Sequence, residues 1–131
     1  IEKYLKCLKP NKPMIVISKD KLDINKLIRD LEYISNFKKE NYLEIDLESY
    51  FDEASINNLI GSNKGYIGYD TGGILSEHIL KHPLSLVNFI NFDKANESIK
   101  TFIKKILKSN YFLDNKGRKI YLTKLRRRYN G

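Results

Sequence analysis

Apolar and polar positions along this chain alternate between two rhythms. Met14-Ile15-Val16-Ile17 is an unbroken apolar run rich in β-branched residues, the pattern of a strand buried on both faces of a parallel sheet. Ile24, Leu27, Ile28, Leu31 and Ile34 then recur at helical spacing, with Asp23 in the capping position before them. Leu43, Ile45 and Leu47 alternate with Glu44, Asp46 and Glu48, which predicts a strand at period two. A short helix is expected around residues 52–60, and another carrying Ile74, Leu75, Ile79 and Leu80, ended by Pro83. The segment 84–92 is again largely apolar and reads as a strand. Asn96 caps the clearest helix, with Ile99, Phe102, Ile103, Ile106 and Leu107 on one side and Lys100, Lys104, Lys105 and Lys108 opposite. Asp114-Asn115-Lys116-Gly117 predicts a hairpin turn between Tyr111-Phe112-Leu113 and Lys119-Ile120-Tyr121-Leu122. At the start, Glu2 to Leu8 reads as a helical lead-in stopped by Pro10 and Pro13. Strand and helix alternating in this way predict a three-layer α/β domain with a mainly parallel sheet.

The 131 residues amount to one domain, 1–131, with 41% apolar and 31% charged residues, which fits a globular chain rather than a disordered one. No apolar run reaches the roughly 18–20 residues of a membrane span, and the charged N-terminus does not read as a signal peptide. The opening on Ile1 rather than Met leads to the expectation of a fragment or a processed chain. With Cys7 as the only cysteine, an intrachain disulfide is impossible and a thiolate zinc site is not expected. The net charge of +8 favours anionic partners in general. Composition supplies another source for it: 19 Lys, 13 Asn and 17 Ile against 2 Ala and no Trp are what codons drifting toward A and T produce.

Five of the seven glycines, Gly61, Gly65, Gly68, Gly72 and Gly73, fall together and mark a loop. The stretch from Leu59 to Gly73, LIGSNKGYIGYDTGG, closely resembles the pore-loop segment of Clp-type AAA+ unfoldases, LIG-x-x-x-GY[VI]GY-x-x-GG. His82-Pro83-Leu84-Ser85-Leu86-Val87 is similar to the family's [RK]PYSVV, Asp93-Lys94-Ala95-Asn96 to EKAH, and Asp114 to Arg118 to its D-G-x-GR hairpin. Upstream, Ile45 to Tyr50 resembles IDMSEY, and Asn11-Lys12-Pro13 resembles N-[RK]-P. The resemblance runs in order over about residues 8–122 and is greatest to the second-ring large ATPase subdomain of ClpB/ClpC-like proteins. It implies a P-loop-NTPase-like AAA+ large subdomain, here incomplete at its C-terminal end and lacking the helical lid. With the A/T drift, it implies a copy encoded in a reduced, apicoplast-like plastid genome and working in the plastid stroma; a cytoplasmic location is the alternative.

Where the family carries GPTGVGKT after its first strand, this chain reads Ser18-Lys19-Asp20-Lys21-Leu22-Asp23-Ile24-Asn25. A phosphate loop needs glycines so that backbone N–H groups can approach the anion, and none occurs before Gly61. Lys19 and Lys21 are the only candidates for nucleotide contact there. Ile90 and Asn91 stand where the family has the Asp that holds Mg²⁺ and the Glu that orients water; neither can do that chemistry. The family's sensor-bearing strand is matched by Leu125-Arg126-Arg127-Arg128-Tyr129, and three adjacent arginines do not suit a central strand. The expectation is therefore a pseudo-ATPase with no catalytic residues, no metal and no bound ATP or Mg²⁺; the alternatives are a Clp chaperone that binds ATP through a rearranged phosphate loop, or a basic RNA-binding or interaction module.

The polypeptide-facing part is kept. By resemblance, Tyr66, flanked by Gly65, Ile67 and Gly68, is the residue that grips a translocating chain. An aromatic ring with few rotamers holds many sequences weakly, and flanking glycines let the loop swing. Lys116, Gly117 and Arg118 match the second pore loop. The implied partners are other Clp AAA+ subunits in a ring, a Clp peptidase and unfolded protein, with no membrane. His78 and His82, at i and i+4, are a weak metal motif without an evident third ligand, and no nucleophile–His–acid set is recognisable. The Arg126–Arg128 run is read as a solvated tail or subunit-interface patch rather than a nucleic-acid site.

Overall fold

The computed structural model describes residues 13–30 and 37–122. The expected lead-in helix, the far end of the helix begun at Ile24 and the arginine run all lie outside the described residues.

Strand β1 (Met14–Ser18), helix α1 (Ile24–Asp30), strand β2 (Tyr42–Asp46), helices α2 (Ile56–Ile60) and α3 (Ile74–Lys81), strand β3 (Leu86–Ile90), helix α4 (Glu97–Ser109) and strands β4 (Tyr111–Leu113) and β5 (Lys119–Tyr121) follow in order. β3 lies between β1 and β2 and pairs in parallel with both, with Ser18 and Asp46 opposite Ile90. β4 and β5 form a separate antiparallel hairpin.

The continuous apolar runs are explained by burial on both faces. Ile15, Ile17, Ile45, Val87 and Phe89 pack with Leu59, Leu75, Ile79, Ile99, Ile103, Ile106, Phe112 and Ile120, so α2, α3, α4 and the hairpin cover one face. Met14, Val16 and Leu86 pack with Leu27 of α1 and Phe37 on the other. The expected three-layer α/β arrangement follows directly. Capping holds as read. Asp23 Oδ1 accepts from the backbone N–H groups of Asn25 (3.0 Å) and Lys26 (3.2 Å), and Asn96 Oδ1 accepts from Ser98 N–H (2.8 Å).

Some element bounds differ from the sequence reading. β2 ends at Asp46, and Leu47 begins a single 3-10 turn in which Asp46 Oδ1 accepts from Glu48 N–H. The strand expected over 84–92 is confined to Leu86–Ile90, because Asn91 takes a left-handed conformation (φ 58°) that ends the ladder. The helix expected over 52–60 is a 3-10 turn, capped by Asp52, followed by one short helix. Of the four apolar residues expected on α3, Leu75 and Ile79 reach the core, while Ile74 and Leu80 are exposed: α3 meets the sheet along a narrower stripe than its apolar residues span.

The glycine loop and the corner beyond the first strand

The loop from Gly61 to Gly73 leaves the end of α2 and enters α3, and it is built from successive tight turns. Tyr66 N–H donates to the Asn63 carbonyl (3.1 Å), Tyr69 N–H to the Tyr66 carbonyl (3.2 Å) and Gly72 N–H to the Gly68 carbonyl (3.1 Å). Gly65 and Gly68 both sit at φ +93°, so the tip between them is formed by backbone that other residues rarely adopt. That tip projects Tyr66, 71% exposed, and Ile67, fully exposed. A cleft of about 480 Å³ opens beside them, lined by Asn57, Ser62, Asn63, Gly65, Tyr66 and Ile67.

The hairpin turn holds this loop at its base. Asn115 Nδ2 donates to the carbonyls of Ser62 (2.8 Å) and Tyr69 (3.0 Å), and Asn115 N–H donates to the Ile60 carbonyl (2.9 Å). Lys116 Nζ donates to the Asp70 carbonyl (3.0 Å) and lies 5.5 Å from the centre of the Tyr69 ring. Arg118 is turned into the protein's own fabric, pairing with Asp114 Oδ2 (2.7 Å) and with Glu77 Oε2 at the start of α3. Burial alone would raise the Asp114 carboxyl, but donors from Arg118 and the Lys116 N–H outweigh it and hold it below the usual carboxylate value. The two candidate substrate loops are thus one bonded unit, with Gly117 at the exposed turn of the hairpin.

At the carboxyl end of the sheet the chain turns back over β3. Asn88, fully buried in the middle of that strand, accepts at Oδ1 from Ser18 Oγ (2.6 Å) and donates from Nδ2 to Tyr42 Oη (3.1 Å). The Asp20 carbonyl also faces this cluster, 3.0 Å from Ser18 Oγ and 3.5 Å from Asn88 Nδ2. Tyr42 in turn donates to Glu44 Oε1 (3.2 Å), and its hydroxyl is pushed up to about 12, chiefly by burial. Lys19 is exposed, and Lys21 reaches Glu44 Oε2 at 3.9 Å from an exposed position. Ile90 is buried at the end of β3, and Asn91 donates to Asp46 Oδ1 (2.7 Å), the main reason that carboxyl titrates below its ordinary value.

Residues 9–125 match the family described as AAA domain (Cdc48 subfamily). The chain belongs to that family. Over 100 residues it is 33% identical to Chaperone protein ClpB of Chlamydia pneumoniae, an alignment covering 76% of this chain and 11% of that protein. It is 34% identical over 82 residues to Chaperone protein ClpB of Clostridium tetani, 63% of this chain and 10% of that one. It is 30% identical over 82 residues to Chaperone protein ClpD, chloroplastic, of Arabidopsis thaliana, 63% of this chain and 9% of that one. It is by homology a Clp-type AAA+ protein, and it spans about a tenth of the length of these relatives.

For this AAA chain, residues 65–68 and 116–118 lie on joined loops, whereas Lys19 and Lys21 lie at the carboxyl end of the sheet. Asn115, Ser62 and Glu77 escaped the sequence reading as parts of the loop's support. The available signal was Asn115 itself, which stands where the resembled hairpin pattern has a glycine. Asn88 was equally legible as a lone amide inside an apolar strand. His78 and His82 lie with ring centres 4.8 Å apart and planes tilted by 42°, and His78 Nε2 lies 3.2 Å from the Asn41 carbonyl. Among the described residues no three His, Cys, Asp or Glu side chains converge, and no helix is long and apolar enough to cross a membrane.

Proposed function

We propose that this chain is the large-subdomain segment of a Clp-type AAA+ chaperone subunit that presents a polypeptide-gripping loop, Gly65–Gly68, and whose nucleotide corner no longer binds or hydrolyses ATP. The observation carrying the second half is the Ser18–Asn88 hydrogen bond with the Asp20 carbonyl folded beside it. A triphosphate requires converging N–H donors at this turn. Here a carbonyl occupies the turn, and the Asp23 carboxylate already takes the Asn25 and Lys26 N–H groups in the first turn of α1. Residues 18–25 therefore do not fit the nucleotide, and Ile90 and Asn91 offer no carboxylate for a magnesium ion.

The gripping role is supported by exposure of Tyr66 and Ile67 at a turn whose base is anchored while its tip is free. In this reading the chain sits in a ring with other, active Clp AAA+ subunits that pass unfolded protein to a Clp peptidase, and its contribution is structural or regulatory. A plastid, apicoplast-like compartment is supported by the A/T-codon composition and by the similarity to a relative named as chloroplastic.

Titration of the chain with fluorescent ATP and Mg²⁺ tests the nucleotide half: no saturable binding is expected. Micromolar, Mg²⁺-dependent binding that disappears in Lys19→Ala and Lys21→Ala would overturn it. In a reconstituted mixed ring, Tyr66→Ala should slow substrate threading, and an unchanged rate would remove the gripping assignment.

A further inference from the structure

The face made by α4, β4 and β5 takes no part in the reading above. Residues 98–113 and 119–122 contain no Asp or Glu, but they carry Lys100, Lys104, Lys105, Lys108 and Lys119. Lys100 pairs with Glu97 (3.4 Å). Lys104, Lys105 and Lys108 are exposed, and among the described residues no carboxylate pairs with them.

Phe102, Lys105, Ile106 and Ser109 share one stripe of α4 by their i, i+3, i+4, i+7 spacing. Between that stripe and β4 lies a cleft of about 280 Å³. Ile106 and Phe112, both buried, and Phe102, edge-on to Phe112 at 5.8 Å between ring centres, give it apolar walls. Lys105 and the exposed Tyr111 and Leu113 also line it. Beside it, Tyr111 pairs across the hairpin with Tyr121, which is 62% exposed, and Lys119 Nζ lies 4.2 Å and 5.3 Å from the two ring centres.

The geometry points to a docking site for an acidic peptide segment, anchored by one aliphatic or aromatic side chain in the α4–β4 cleft, with flanking carboxylates meeting Lys105, Lys108 and Lys119. The cleft falls below the range of about 300–1,000 Å³ usual for small-molecule pockets and suits a single large side chain. Burying an apolar anchor supplies affinity, while a one-sign rim selects the partner by charge and speeds encounter. Nucleic acid fits less well. Bases stack on open aromatic faces, and here the Lys119 ammonium already lies over both tyrosine rings.

Fluorescence anisotropy with the full chain tests this. The probes are a labelled synthetic peptide of Asp, Glu and Ser around a central Leu, the same peptide with central Ala, and an oligouridylate of equal charge. The Leu peptide should bind about tenfold or more tighter than the Ala peptide. Lys105→Ala with Lys108→Ala should weaken it about tenfold with an unchanged melting curve, and Leu113→Asp at the exposed rim should do the same by repelling the carboxylates. Equal binding of the Leu and Ala peptides, indifference to these substitutions, or oligouridylate binding as tightly as the Leu peptide would each overturn the proposal.

Discussion

Gly61 and Asn115 compete for one space: a Cβ on Gly61 would lie 2.5 Å from Asn115 Nδ2 and 2.6 Å from its Oδ1. Gly61 also sits at φ +97°, where a side chain is strained regardless of room. The amide that ties the two loops together is therefore admitted only because residue 61 has no side chain. Gly61→Ala should destabilise the chain by about 1–3 kcal/mol through overpacking. Adding Asn115→Ala should recover part of that loss. A denaturant titration of the two single variants and the double variant checks this, and strictly additive effects would show that the two positions are not coupled.

Asn115→Ala alone removes two hydrogen bonds from the loop base, worth about 0.5–1.5 kcal/mol each. The expected outcome is faster hydrogen exchange at the Tyr66 and Gly72 amides, with the amides of β3 little affected. Uniformly faster exchange would mean that the loop has no independent anchor.

Arg118 joins Asp114 to Glu77, and its removal leaves the buried Asp114 carboxylate without its side-chain donor. Arg118→Ala should cost about 1–3 kcal/mol, and Arg118→Lys should not restore it, because a single ammonium cannot reproduce the guanidinium fork. Asp114 titrates below its unfolded value, so its contribution is full above pH ~3.9 and is lost as pH falls through the lower folded value. Acid unfolding midpoints should shift upward in Arg118→Ala.

His78 is lowered from the ordinary imidazole value first by burial and further by His82, against the opposing effect of the Asn41 carbonyl. The unfolded chain thus takes up a proton before the folded one does. The contribution of His78 to stability is therefore full above pH ~6.5 and declines as pH drops below it. His78→Gln should flatten the melting temperature between pH 7 and 5.5; an unchanged slope would exclude His78 as its source.

Ser18→Ala strips the hydroxyl donor from the fully buried Asn88 Oδ1. An unsatisfied buried acceptor costs about 1–3 kcal/mol, so this substitution at the buried end of β1 should be as disruptive as a core change. Calorimetry measures it directly.

The strands, their parallel pairing and the capped helices were readable from the residues, because burial on two faces, helical spacing and helix capping each impose a local and periodic constraint on residue type; the GYIG tip was legible through its resemblance to a family motif alone. The tertiary structure decided that the glycine loop and the hairpin are one unit, since Asn115 lies 53 and 46 positions along the chain from Ser62 and Tyr69 and carbonyl acceptors leave no mark in a sequence. It also decided what fills the corner after β1. Missing glycines gave only the expectation that no phosphate cradle forms; that Ser18, Asp20, Tyr42 and Asn88 pair there depends on three parallel strands being brought into register, a long-range condition that no local pattern records.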